Sequence, residues 1–216
     1  MTSFPNSPKL LRGGLVLIDN ASAAVQRIIA LQYNPDTLTR SFQVRGVSAE
    51  GGDHLEALRL KGPPVETIKL EIEIDATDLL GEGDPNAAAM GLHAQLAVLE
   101  TIVYPSSNQL FANHGQAMAG TLEIAPLQGP LTLFIFGARR IVPVRVQELS
   151  VTEEAFDPSL NPIRAKVSLG LRVLTVDDLG FDARGGGLFM TYLQAKEQLA
   201  AAHPAGNFGT FGITGI

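Results

Sequence analysis

The sequence lacks cysteine and tryptophan altogether, and it has only three tyrosines among 216 residues. The absence of cysteine excludes a disulfide framework, thiol catalysis and a cysteine-ligated zinc site. The shortage of tryptophan and tyrosine argues against a binding surface built on clustered aromatic rings. Positive charge is also scarce, because 16 Lys and Arg stand against 22 Asp and Glu for a net charge of -6. Proteins that bind nucleic acid through its phosphates carry a basic surface, so nucleic acid is not expected as the partner.

Long hydrophobic runs are missing too. The N-terminal stretch MTSFPNSPKLLRGG lacks the basic head and apolar run of a signal peptide. The longest apolar cluster, residues 131–136, has the length of a strand and is far short of the ~18 residues that a membrane helix needs. We therefore expect no direct membrane insertion, and a protein that stays in the cell that makes it unless a dedicated machine moves it.

Motifs for chemistry are equally scarce. The four histidines, at positions 54, 93, 114 and 203, have no spacing that suits a shared metal ion. No G-x-S-x-G nucleophile motif occurs, and the glycine clusters lack the lysine of a phosphate-binding loop. The sequence thus predicts no catalytic, cofactor-binding or metal-binding residue, and we interpret the chain as a protein that is not an enzyme.

The sequence does contain alternating segments that are typical of β-strands. Residues 67–75 alternate strictly between apolar and polar side chains, which predicts a strand with one buried face. Its outward positions include Glu71, Glu73 and Asp75. Paired carboxylates can act as acid and base, but acids along the outward side of one strand favour a surface that faces solvent, a lumen or a partner.

Other strands are predicted at residues 15–18, 27–33, 37–44, 131–136, 140–151 and 163–174. The second and third of these flank Asn34-Pro35 and are predicted to pair as a hairpin. A change of phase near Glu148 predicts a β-bulge in the strand of residues 140–151. These segments together predict a mainly β fold.

One long helix is predicted after the strand of residues 67–75. Asp84 suits the N-cap and Pro85 the first helical position, and Pro105 ends the helix after Tyr104. This helix should lie on the sheet or across one end of it.

The composition changes at residue 177. Residues 177–187 are predicted to be a linker and residues 188–203 a short amphipathic helix. The glycine-rich tail that follows carries Phe208, Phe211 and Ile213. The chain is thus divided into a β domain, residues 1–176, and a C-terminal extension, residues 177–216.

Two turns with Asx-Pro pairs bend the chain between strands. They lie in YNPDTL, which starts at residue 33, and in FDPSLNPIRA, which starts at residue 156. Asn and Asp side chains cap such turns, and the proline that follows has its own φ fixed by its ring. The candidates for setting strand register and assembly are Asn34, Pro35, Phe156, Asp157, Pro162 and Arg164.

With these turns, the chain resembles the tube and tube-adaptor proteins of contractile injection systems, the phage-tail-like particles of bacteria. The likeness rests first on LQYNPDTLTRSF, residues 31–42, and then on TIKLEIEIDATD, residues 67–78, with the helix that ends in LAVLETIVYP. It rests thirdly on residues 131–174, where an apolar strand ending in glycine, a second strand and FDPSLNPIRA precede the last strand.

The resemblance implies a β-barrel-like subunit of two packed sheets with a flanking helix. It implies a hexameric ring in which strands of neighbouring copies join into a continuous wall. The best match within the family is the adaptor between the inner tube and the spike hub of the baseplate. The implied partners are other copies of the chain, the inner tube protein, and hub and baseplate proteins, and the implied location is the bacterial cytoplasm, within an injection particle. Such adaptors usually carry a C-terminal LysM module, which this sequence lacks.

Three alternatives stay open at this point. The chain could be the inner tube protein itself, a stand-alone non-catalytic β binding domain, or a hydrolase on a β scaffold. A hydrolase should lose function on alanine substitution of His93, His114 or Glu73 without losing assembly.

Overall fold

The computed structural model describes residues 10–20, 22–46, 58–120 and 128–215. The strands in this part of the chain are β1 (Gly14–Ile18), β2 (Val25–Ala30), β3 (Leu38–Gln43), β4 (Val65–Asp75), β5 (Leu131–Ile135), β6 (Ile141–Phe156) and β7 (Pro162–Val173). All of them belong to one antiparallel sheet of seven strands, in the order β2-β1-β5-β6-β7-β4-β3. The predicted mainly β class is confirmed.

Strand β6 belongs to two leaves of this sheet. Its residues 141–144 pair with β5, and the pairing with β7 runs from Val144 to Phe156. The register with β7 shifts between Val146 and Glu148, just after the change of partner. A bulge at this point bends and twists the strand, so the predicted bulge near Glu148 is confirmed and lies where one leaf gives way to the other.

The two leaves share one hydrophobic core. Leu15 of β1 and Phe134 of β5 belong to the same buried cluster as the inward side chains of β4 and β7. Full burial of such a side chain contributes about 1.5–3 kcal/mol to the free energy of unfolding. The inward residues of β4 and β7 follow the alternation seen in the sequence: Ile68, Leu70, Ile72, Ile74, Ala165, Val167, Leu169, Leu171 and Val173.

The sheet is not closed into a barrel. Its edges are β2 and β3, which do not pair with each other, so the predicted hairpin around Asn34-Pro35 is wrong and β3 pairs with β4 instead. The connection between them is held to the end of β4. The Gln32 side chain donates to the Asp75 carbonyl oxygen at 2.8 Å and accepts from the Asp75 N–H at 3.0 Å. The barrel of two packed sheets is therefore replaced by one open, folded sheet of two leaves.

The single helix expected from Asp84 to Tyr104 is divided. A short helix, α1 (Thr77–Gly81), comes before it. The expected helix itself is split into α2 (Pro85–Met90) and α3 (His93–Glu100). Asp84 caps α2 as expected, accepting from the N–H groups of Asn86 and Ala87. The break falls at Gly91, whose φ of 53° is accessible mainly to glycine and whose Cβ, if present, would collide with the Pro162 carbonyl oxygen. A fourth helix, α4 (Ser107–Met118), was not predicted.

The C-terminal extension is more helical than its glycines suggest. Helix α5 spans Val176–Leu179 and α6 spans Arg184–Ala201, so the predicted linker is largely wrong. Gly185 and Gly186 are buried in the first turn of α6 because other groups approach it closely. Further along, Phe189 and Tyr192 enter the core cluster. Glycine here serves close packing rather than flexibility.

Two adjacent glycines of α6 give a matched test of this packing. A Cβ at Gly186 would overlap the Gly180 carbonyl oxygen, whereas a Cβ at Gly187 meets open space. We expect Gly186→Ala to lower the free energy of unfolding by about 1–3 kcal/mol through overpacking. Gly187→Ala should raise it by about 1 kcal/mol because alanine favours the helix. Urea denaturation of both variants checks this, and equal effects would contradict the close approach.

Candidate functional site

The outward side of strands β4, β7 and β6 forms a charged face. Cross-strand pairing places Glu73 opposite Lys166 and Asp75 opposite Arg164, while Glu154 lies on the other side of Arg164. Because strand side chains alternate, these residues share one side of the sheet, away from the core. The charged face consists of Lys69, Glu71, Glu73, Asp75, Arg145, Glu148, Glu154, Arg164, Lys166 and Arg172.

Ion pairs cross the charged face from strand to strand. Arg164 Nε lies 3.0 Å from Asp75 Oδ2, Lys166 Nζ lies 3.5 Å from Glu154 Oε1, and Lys69 Nζ lies 3.8 Å from Glu148 Oε2. Exposed pairs of this kind each contribute about 0–1 kcal/mol to stability. They also change the net charge of the face, because basic residues of β7 lie opposite the predicted acidic residues of β4. The surface is strongly hydrated and mixed in charge, not simply acidic.

A shallow depression of about 360 Å³ opens on this face and is lined by Tyr33, Glu73, Asp75, Glu154, Arg164 and Lys166. Ligand pockets are usually enclosed and mostly apolar, and this depression is neither. Hydrogen bonds from Thr77, followed by the bond and charge of Arg164, lower the pKa of Asp75, while burial opposes them. A catalytic base works best with a pKa near the operating pH, so the lowered pKa suits Asp75 to ion pairing.

The β6–β7 turn is organised around Asp157. Its Oδ1 accepts from the N–H groups of Ser159 at 2.7 Å and Asn161 at 2.9 Å, and its Oδ2 accepts from Asn161 Nδ2 at 2.8 Å. These bonds, those to Asn161 first, lower the pKa of Asp157. Leu160 takes a φ of 66° to close the turn. The side chain of Asp157 therefore fixes the geometry in which β7 begins.

The same turn holds helices α2 and α3 in place. The Pro162 carbonyl oxygen accepts from the Leu92 N–H at 2.9 Å, and the Pro162 side chain is fully buried. Asn161 Nδ2 also lies 3.4 Å from the Ala89 carbonyl oxygen. Phe156, by contrast, is about half exposed and remains accessible to another molecule. The turn thus joins the end of the β6–β7 hairpin to the helices beside it.

Asn34 was expected in the turn of a hairpin, but its side chain bonds to the segment that leads into β1. Its Oδ1 accepts from the Gly13 N–H at 2.9 Å, and its Nδ2 donates to the Leu11 carbonyl oxygen at 2.8 Å. The side chain therefore imitates a strand partner for the segment that leads into β1. Pro35 is half-buried beside it. The structure does not bring Asn34 and Pro35 together with the β6–β7 turn into a single cleft.

A buried carboxylate, Glu66, was missed in the sequence. Its side chain is only 4% exposed, and it accepts from Arg40 Nε at 2.9 Å, Lys196 Nζ at 2.8 Å and the Tyr192 hydroxyl at 3.0 Å. Burial, followed by the charge of Glu66, raises the pKa of Tyr192 to about 12. The cluster fastens α6 to β3 and β4. The alternation of β4 could have revealed it, because Glu66 is two residues before the inward Ile68 and therefore points to the same side.

No protein-family model matches this sequence, and no curated protein matches it either. Within the described residues, no group of three or more His, Asp or Glu is placed to hold a metal ion. The helices in that part of the chain also include none that is long and apolar enough to cross a membrane.

Glu66→Gln tests the cluster that fastens α6. The amide would leave Arg40 and Lys196 without a counter-charge. Loss of one partner from a fully buried ion pair costs about 3–5 kcal/mol, and the partial exposure of both cations reduces the expected loss to about 2 kcal/mol. Urea denaturation should show this loss, whereas the exposed Glu71→Gln should change stability by less than about 0.5 kcal/mol. Similar values for the two variants would contradict a holding role for Glu66.

Asp157 provides a test through pH. Because folding lowers its pKa from an ordinary value of 3.8, the charged carboxylate stabilises the fold above that value. This contribution is lost as pH falls through the lower pKa of the folded state. We expect Asp157→Asn to be less stable than the parent at pH 7, with the difference shrinking below about pH 4. Denaturation curves at pH 7 and pH 3 measure it, and a difference independent of pH would contradict the turn geometry.

Proposed function

We propose that the chain is a non-catalytic ring subunit of a contractile injection system that joins the inner tube to the spike hub at the baseplate. The observation that carries the proposal is the open sheet, whose unlike edges β2 and β3 have no second strand partner among the described residues. The motif resemblance in residues 31–42, 67–105 and 131–174 supplies the biological setting.

Free strand edges invite pairing with another chain, and proteins usually protect or use them. Here one edge ends in β2 and the other in β3, so two copies can pair head to tail through unlike edges. A head-to-tail contact repeats from copy to copy, and it closes into a ring when the rotation per copy divides a full turn. Closure would remove every free edge without changing the fold of the subunit.

The charged face suits such a ring. Its acids and bases alternate across three strands and are held by pairs such as Arg164–Asp75 and Lys166–Glu154. A hydrated, nearly balanced surface offers little apolar area for a passing polypeptide to adhere to. If this face lines the ring, it forms a non-adhesive channel wall.

The proposed partners are further copies of the chain, the inner tube protein, and the spike hub and baseplate proteins, with the particle assembled in the bacterial cytoplasm. The inner tube itself is the alternative layer. Negative-stain images separate the two, because a tube protein stacks into long cylinders on its own whereas an adaptor forms single rings or needs the hub to assemble.

Disulfide linking tests edge pairing directly, because the chain has no cysteine of its own. Ile28→Cys on β2 is combined in turn with Thr39→Cys, Ser41→Cys or Gln43→Cys on β3. Strand side chains alternate sides, so the three positions, two residues apart, share one side of β3. Three are used because the register between the copies is not known in advance. Paired strands bring Cα atoms to the 4.4–6.8 Å that a disulfide requires. We expect at least one pair to give a ladder of linked oligomers that ends at the ring size.

The single-cysteine variants are the matched controls. Unlike edges place the thiol at position 28 of one copy far from the same position of the next, so Ile28→Cys alone should not form dimers. A dimer from that variant alone would show a symmetric contact through like edges, which cannot propagate into a ring. If the protein stays monomeric both alone and when mixed with tube and hub proteins, the proposed function fails.

A further inference from the structure

Helix α4 is the least supported element of the fold. None of its twelve residues is buried. Its start is well specified, since Ser106 and Gln109 form a reciprocal capping box. An isolated helix of this length is nevertheless marginal in water, and Gly115 in its interior weakens it further. No described residue of the chain buries any part of it, so a stable helix here needs a further packing contact.

One side of α4 is mostly apolar and includes one histidine. Leu110, Phe111, His114 and Met118 recur at helical spacing and share a side. Phe111 is 75% exposed and Met118 is 77% exposed. Single exposed apolar residues are ordinary, but a contiguous group of them marks an interaction surface. We call this group the α4 face.

The distribution of charged residues along the sequence indicates which segment covers the α4 face. Residues 101–122 and 198–216 are the two longest stretches of the sequence without Asp, Glu, Lys or Arg, with 22 and 19 residues. The first contains α4. The second contains the tail, in which the short 3-10 turn Phe208–Phe211 buries no residue and Phe211 is 78% exposed. Interface cores are depleted of charge and enriched in aromatic residues and Met. Both stretches lack charge and contain aromatic residues, and the first also contains Met118.

We propose that the tail of one copy, around Phe208 and Phe211, packs on the α4 face of a neighbouring copy. The match in charge favours this occupant, because bringing a charged surface onto the α4 face would strip ions of water without giving them a partner. Both surfaces are exposed in the described part of the chain, so each is open to a second copy. The stretch from the end of α6 at Ala201 to Phe211 has a maximum span of about 35 Å. This exchange of tails rests on the proposed ring only for the supply of neighbours.

Mixing two single-cysteine proteins tests the tail exchange. His114→Cys places a thiol in the α4 face, and Thr210→Cys places one in the tail, so that Phe111, Phe208 and Phe211 stay intact. Under mild oxidation the mixture should give a linked heterodimer, identified by mass spectrometry of the joined peptides. Gln116→Cys, on the opposite side of α4, is the control, and its link to the Thr210→Cys protein should be several-fold weaker.

Each other outcome overturns the tail exchange. These outcomes are equal linking through positions 114 and 116, linking of Thr210→Cys to itself in preference to the mixture, and a link within one chain when both cysteines are in the same protein. The absence of any link while rings form would overturn it too. The cysteine pairs on β2 and β3 report on the ring separately. Rings without a 114–210 link refute the tail contact alone. A 114–210 link without rings, both alone and when mixed with tube and hub proteins, refutes the proposed ring alone.

A thermodynamic cycle adds a second readout. Phe111→Ala and Phe211→Ala remove partly exposed side chains, so the melting temperature of the monomer should stay unchanged. Each should weaken association severalfold, and the double variant should be little weaker than either single one, because the two share one contact. Additive effects in mass photometry would overturn the contact between these side chains.

Discussion

The sharing of strand β6 between two leaves is the constraint on which the rest of this structure depends. Its first residues complete the leaf of β1, β2 and β5, and the remainder completes the leaf of β7, β4 and β3. The bulge between Val146 and Glu148 lets one continuous strand serve both. Because the leaves are connected there, their apolar sides face a common core, and α3 and α6 add buried side chains to it.

The same arrangement explains why the sheet stays open. The two edge strands are consecutive in the chain, yet Gln32 meets the backbone of Asp75 in place of a strand-to-strand ladder. Side-chain hydrogen bonds of this kind satisfy the backbone locally, and the outer edges of β2 and β3 pair with no other strand of the described residues. An isolated subunit with two free edges is exposed to unwanted pairing. The proposed ring, which joins unlike edges, would turn that liability into a specific contact.

Local patterns in the sequence predicted local structure well. Alternation located β4 and its buried side, and the phase change located the bulge, because a period of two follows from strand geometry alone. Pairing between distant strands leaves no such trace, so the β3–β4 pair and the bases opposite Glu73 and Asp75 came from the structure. Composition gave the wrong prediction at residues 185–187, where the glycines suggested a linker. They lie in α6, and Gly185 and Gly186 permit its close packing. Glu66 shows the converse, a polar residue at an inward position whose partners lie far away in the chain.

The distribution of charge separates the surfaces of the molecule by role. The charged face concentrates acids and bases in cross-strand pairs, and removing such a surface from water costs more than most protein contacts return. The α4 face and the tail carry no charge over long stretches, so their burial has no such cost. A subunit that must leave one surface wet while binding its neighbours through others needs this contrast. Charge placement thus favours the tail and α4 as contacts between copies and the β4–β7–β6 side as a surface that stays in water.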